Sequence, residues 1–203
     1  MPSGAVKSYA LFAHCFTCSK DNPAAARIAF ALADRGIAVL RFDFTGLGTS
    51  KGDFSDTNFS SNVQDLLAAA QYLEQHYAAP ALLIGHSLGG AAILAAAQDL
   101  SSVKAVITIG APATALHVKH LFGDSYRKLQ DQESVQVELG GRSLNNRRKF
   151  IDDLDKYNSV AHIGALRKAL LIFHAPLDDT VSIDEAGRIF TAAKHPKSFV
   201  SLD

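Results

Sequence analysis

The sequence predicts an α/β protein, a three-layer αβα sandwich around a mostly parallel sheet. Three observations carry that reading. Short apolar segments alternate with stretches of helical spacing along nearly the whole chain. The apolar segments are near-continuous runs rather than in-out alternations, as strands covered on both faces require. The chain has 203 residues, 48% of them hydrophobic, which fills one core and predicts one domain over residues 1–203.

The elements follow in order. Tyr9–His14 reads as the first strand. Ala24–Arg35 reads as a helix, because Ala25, Ile28, Ala29, Leu32 and Ala33 fall on one face and Gly36 stops it. Ile37–Phe42 is the next strand. Ser60–Tyr77 is a helix with Val63, Leu66, Leu67 and Ala70 on one side. Pro80 leads into strand Ala81–Gly85, followed by the small-residue helix Leu88–Leu100 and strand Val103–Ile109. Leu170–His174, Ile183–Ala193 and Ser198–Leu202 continue as strand, helix and strand. Residues 112–165 break the rhythm. Their middle alternates around Gly140-Gly141 and predicts a hairpin, and the whole stretch is expected to be a cap over the sheet's carboxyl edge, with Leu121, Phe122 and Phe150 as pocket walls.

The composition excludes some functions. Lys plus Arg and Asp plus Glu are 20 each, so nothing in the charge balance favours nucleic acid or an anionic membrane. Apolar runs are broken well short of about 18 residues, which predicts no membrane span. Residues 1–9 lack the apolar stretch of a signal peptide, and two cysteines are too few for a disulfide scaffold. The expected location is therefore cytoplasmic.

The chemistry centres on "GHSLGGAA", a G-x-S-x-G pattern with Ser87 in the middle. A nucleophilic serine between strand and helix must sit on a strained turn that exposes its hydroxyl. Gly85 and Gly89 leave room for the crossing backbone, and Leu88 opens the helix with its N–H directed at whatever binds Ser87. The alternative is a glycine-rich turn whose serine merely caps the helix. An orienting acid should follow a later strand. "APLDDTVSI" offers Asp178 and Asp179, and D-x-x-V favours Asp178, with Val181 turning back into the core. The second oxyanion donor should come from "AHCFTCSKD", where Phe16 would supply a backbone N–H opposite that of Leu88. His14 is expected to brace that loop.

With those residues in view, the chain resembles the α/β-hydrolases. "LFAHCFTCSKD", "RFDFTGLGTSKGDF", "NFSSNV", "LLIGHSLGGAA" and "HPKSFVSLD" are similar, more narrowly, to the hydrolase portion of fused α/β-hydrolase/OsmC proteins. The resemblance implies Ser87 as nucleophile, Asp178 as acid, and the Phe16 and Leu88 amides as oxyanion hole. It implies hydrolysis of small acyl esters through an acyl-serine, with no metal and no cofactor. It also implies an OsmC-like portion downstream in the full-length protein. By the same comparison a leading strand hairpin and the triad histidine would lie outside residues 1–203. That absence would leave strand Ile37–Phe42 as an edge open to pairing with a second copy.

Two other classes compete. One is a catalytically impaired binding domain on this scaffold, because no histidine of the sequence has an obvious place in the triad. His195 stands at the wrong end of the last strand, His86 points away along the elbow, and His117 and His120 fall in the cap. The other is a redox protein, since Cys15-Phe16-Thr17-Cys18 is a C-x-x-C between strand and helix.

Overall fold

The computed structural model describes residues 1–15, 18–117, 134–139, 142–147, 152–157 and 160–202. Its centre is a six-stranded sheet formed by β1 (Ser8–Ala13), β2 (Ile37–Arg41), β3 (Leu82–His86), β4 (Ala105–Ile109), β7 (Ala169–His174) and β8 (Lys197–Ser201). The order is β2-β1-β3-β4-β7-β8, and every pairing is parallel. The chain thus starts inside the sheet, steps out to the edge strand β2, then crosses back past β1. The sequence-predicted α/β sandwich is what forms, with strands displaced by a residue or two at their ends.

Each helix begins where a side chain can satisfy its first amides. α1 (Pro23–Ala33) has Asn22 accepting from the Ala24 amide, with Pro23 in the first turn where no N–H is needed. α2 (Phe59–His76) has a capping box: Asn58 accepts from the Ser61 amide, and Ser61 Oγ accepts from the Asn58 amide. α3 (Leu88–Ala96) follows the elbow directly. It ends before Leu100, short of the sequence reading, because Asp99 and the two serines behind it favour a turn over helix. α4 (Ala161–Gly164) is a single turn, and α5 (Ile183–Ala192) is capped by Ser182.

The two faces of the sheet are dressed unequally. On one face Leu11, Leu83, Val106, Leu170 and Ile172 are buried in one large cluster with α2, α3 and α5. On the other, Ala10, Phe12 and Ile84 pack under Ala25, Ile28 and Leu32 of α1. Beyond α1 this second face is only half-buried at Ala105, Ala169, Leu171 and Phe173, and Val200 of β8 is exposed.

Within the insertion, β5 (Ser134–Leu139) and β6 (Arg142–Arg147) pair antiparallel, as the alternation around Gly140-Gly141 predicts. The insertion is anchored to the start of α2. Asp153 accepts from the Ser60 amide at 2.6 Å and from Ser60 Oγ at 2.7 Å, and Tyr157 meets Phe59 edge to face at 4.6 Å. Leu154 is fully buried beside them. The pocket walls expected at Leu121, Phe122 and Phe150 lie outside the described residues. Among the described residues no helix is long and apolar enough to cross a membrane.

Candidate active site

Ser87 stands between β3 and α3 with φ 52° and ψ −124°. A left-handed φ strains any residue with a Cβ and must be held by its surroundings. Two features hold it. The Ser87 amide donates to Ile109 O at 3.0 Å, tying the turn to the end of β4, and the Gly90 amide donates back to Ser87 O at 2.8 Å. The flanking glycines let the turn close. A Cβ on Gly85 would meet the Gly89 carbonyl at 2.5 Å, and one on Gly89 would collide with the carbonyls of Ala13, at the end of β1, and of His14 just beyond it. Ser87 occupies the N-cap position of α3, yet its side chain makes no capping hydrogen bond. The capping-serine alternative therefore fails, and the hydroxyl is left for other chemistry. Leu88, as first residue of α3, has an amide with no partner inside the helix. The donor expected from Phe16 lies outside the described residues.

Asp178 reaches the same edge of the sheet. The Gly110 amide, next to Ile109, donates to Phe173 O at 2.9 Å, and a Cβ on Gly110 would come within 3.2 Å of Asp178 Oδ2. The carboxylate thus lies over the strand end that also receives the Ser87 amide. Asp178 Oδ1 accepts from the Thr180 and Val181 amides at 3.0 and 2.9 Å, which closes the turn and sends Val181 into the core. Asp179 is instead exposed, and the Thr180 hydroxyl donates to its carboxylate at 3.3 Å. The turn implied by the D-x-x-V spacing is thus formed by Asp178 and not by Asp179.

Histidines surround these groups in distinct roles. His174, at the end of β7, is fully buried; its Nε2 lies 2.7 Å from Val181 O and 3.6 Å from Asp178 Oδ2. The short contact to a carbonyl assigns the proton to Nε2, so His174 braces the acid turn as a donor. His14 braces the β1 loop as expected: Nδ1 lies 2.6 Å from Cys15 O, and Nε2 accepts from the Phe44 amide at 3.5 Å. His117 is held at the acid turn, its Nε2 3.1 Å from Thr180 O. His120 lies outside the described residues. Burial pushes the His86 imidazole below its ordinary value, against the pull of the Asp178 charge.

Sequence reading missed a second carboxylate at this edge. Asp43, just past β2, accepts from the Lys20 amide at 2.6 Å, Lys20 Nζ at 3.0 Å, the Thr49 amide at 2.9 Å and the Thr49 hydroxyl at 3.1 Å. Burial alone would raise its pKa, but these donors outweigh it and hold the carboxyl at about 2. The signal was present in "RFDFTGLGTS", an acid followed by a tight glycine turn straight after a strand. The cysteines also differ from a pair of separate thiols. Cys15 and Cys18 are joined in a disulfide, their Cα atoms 5.2 Å apart, and the Cys18 amide donates to Cys15 O.

Residues 22–156 match the family described as serine aminopeptidase, S33. The chain belongs to that family. It is 45% identical to the structure of an esterase domain from a Rhodothermus marinus protein, covering all of this chain and 79% of that one with a TM-score of 0.78. Est1E from Butyrivibrio proteoclasticus, solved with ferulic acid bound, shares the fold at 21% identity and a TM-score of 0.87, over 98% of this chain and 81% of that one. An uncharacterised protein of Escherichia coli O157:H7, YfhR, is 24% identical over 173 residues. This chain spans only about half of YfhR, 53% of its length. As an S33-family α/β-hydrolase, the chain carries its strained Ser87 turn and its Asp178 turn at the carboxyl edge of the sheet, where open α/β sheets hold their sites.

Proposed function

We propose that this α/β-hydrolase is a serine esterase that cleaves small acyl esters through an acyl-serine. The observation that carries the reading is the strained, uncapped Ser87 at the β3–α3 turn. In the reaction Ser87 Oγ attacks the ester carbonyl, and the resulting oxyanion is met by the Leu88 amide and, as second donor, that of Phe16. The alcohol leaves with a proton from the base, and water then releases the acid by the reverse sequence. Asp178 Oδ2 is the oxygen that would orient the base, since Oδ1 already serves two amides. The base is a histidine bridging Ser87 Oγ and that oxygen. His117 already stands at the acid turn.

Small esters are favoured because the chain balances 20 basic against 20 acidic residues and offers no charged handle of its own. The narrower kinship to fused α/β-hydrolase/OsmC proteins and a cytoplasmic location belong to this same reading. The test is labelling with a fluorophosphonate followed by peptide mapping, alongside hydrolysis of p-nitrophenyl acetate. Ser87 should carry the label. His117→Gln tests whether that histidine is the base. Label absent from Ser87 in a chain that hydrolyses the ester would overturn the mechanism.

A further inference from the structure

The C-x-x-C that the hydrolase reading does not use meets a third donor from far along the chain. Cys15 and Cys18 follow β1, and His86 comes from the end of β3. One ligand atom from each lies within 4.8 Å of the others, and all three residues are half-buried. We propose that Cys15, Cys18 and His86 form a redox-dependent zinc site beside the elbow, closed while the cysteines are joined and opened when they are reduced.

The donor chemistry fits. Two thiolates at C-x₂-C spacing plus an imidazole make a Cys₂His set, which binds zinc tetrahedrally and leaves a fourth position free. With Zn–S near 2.3 Å and Zn–N near 2.0 Å, tetrahedral donors lie roughly 3.5–3.8 Å apart. The three ligand atoms lie within 4.8 Å of one another, so reaching that spacing requires the two sulfurs to part and the imidazole to close by about an ångström at most. A cavity of about 100 Å³ adjoins the cluster, lined by Phe12, His14, Asn22, Ile28 and His86. It has room for a water on the fourth position.

Asn22 supplies the outer support such sites use. Its Oδ1 accepts from the Ala24 amide at 2.9 Å, which fixes the amide orientation, and its Nδ2 is thereby presented to Cys18 Sγ at 3.9 Å. A thiolate accepts that N–H better than a disulfide sulfur does.

The steps balance with a thiol reductant. Two reductant thiols reduce the Cys15–Cys18 bond, giving two protein thiols and one reductant disulfide. Zinc then replaces two thiol protons, which pass to solvent. Once bound, the ion would tie the loop carrying Phe16 to the elbow carrying Ser87. The inference stands apart from the esterase reading, because its readout is spectroscopic.

The test is a Co²⁺ titration of the protein reduced with dithiothreitol and then freed of reductant under anaerobic conditions. One equivalent should produce a thiolate-to-cobalt charge-transfer band, and Zn²⁺ should abolish it. The disulfide form should give no band. Cys18→Ser should remove the band. His86→Gln, checked for folding by circular dichroism, should weaken binding more than the roughly 10–100-fold typical of losing an outer partner. A reduced protein without the band, a disulfide form with it, or His86→Gln binding cobalt as tightly as the parent would each overturn the proposal.

Discussion

His14 with Asp43 and His174 with Asp178 are built from the same residue types at the same edge of the sheet, and in both the Nε2–carboxylate separation is 3.6 Å. Their surroundings differ. Asp43 has a side chain 1% exposed, and Lys20 and Thr49 give it four hydrogen bonds. Its oxygens are spent on fastening the β1 loop to the turn after β2. Asp178 is 24% exposed, and its two amide bonds fall on Oδ1. Oδ2 faces the strand end beside Ser87 with capacity to accept. A histidine–aspartate pair therefore does not declare its role. A carboxylate whose lone pairs the fold has already used can only clamp, whereas one with lone pairs left keeps the capacity to orient a base.

That contrast can be broken by measurement. The scale is set by Ser87→Ala, which should lower kcat for p-nitrophenyl acetate by on the order of 10⁶ with folding intact. Asp178→Asn should come next, costing roughly 10⁴ in kcat while leaving the urea midpoint nearly unchanged, because an amide oxygen can still accept from Thr180 and Val181. Asp43→Asn should do the opposite. It removes the charge that Lys20 and Thr49 bind and should cost about 2 kcal/mol of stability by urea unfolding, with kcat changed less than tenfold.

The acid limb sharpens the point. Asp43 is depressed from 3.8 to about 2, so between those values the unfolded chain binds more protons and stability rises with pH. The contribution, about 2 kcal/mol, should be present in full above pH 4 or so and be lost as pH falls through about 2. Asp43→Asn should flatten that limb in urea midpoints taken from pH 5 downward; an unchanged limb would mean Asp43 is not the clamp. Asp179→Asn should be the smallest effect, under tenfold in kcat with no measurable stability change. If Asp179→Asn proved the more damaging of the two neighbours, the acid would be Asp179.

The sequence discloses what is periodic or local. Alternation of apolar strands and helices gives the sheet, and the flanking glycines give the elbow at Ser87. The D-x-x-V spacing gives the Asp178–Val181 turn, because both partners lie within a few residues. Contacts between distant segments are not legible in this way. Lys20 meets Asp43, Ser60 meets Asp153, and His86 meets the cysteines only after β1, β2 and β3 have been set side by side. Helix α3 is misjudged for a related reason. Its small apolar residues run on past Ala96, and the turn that ends it is dictated by the polar residues beyond.

The unequal dressing of the sheet has a thermodynamic consequence. The face over β4, β7 and β8 that α1 does not reach already meets water in the folded state. Unfolding there hydrates less new apolar surface than a sheet covered on both sides would release. The heat-capacity increment should accordingly fall below the ~12–15 cal/mol/K per residue usual for globular domains. A smaller increment flattens the dependence of stability on temperature, so the protein gains less from a modest change of temperature in either direction and approaches cold unfolding more slowly.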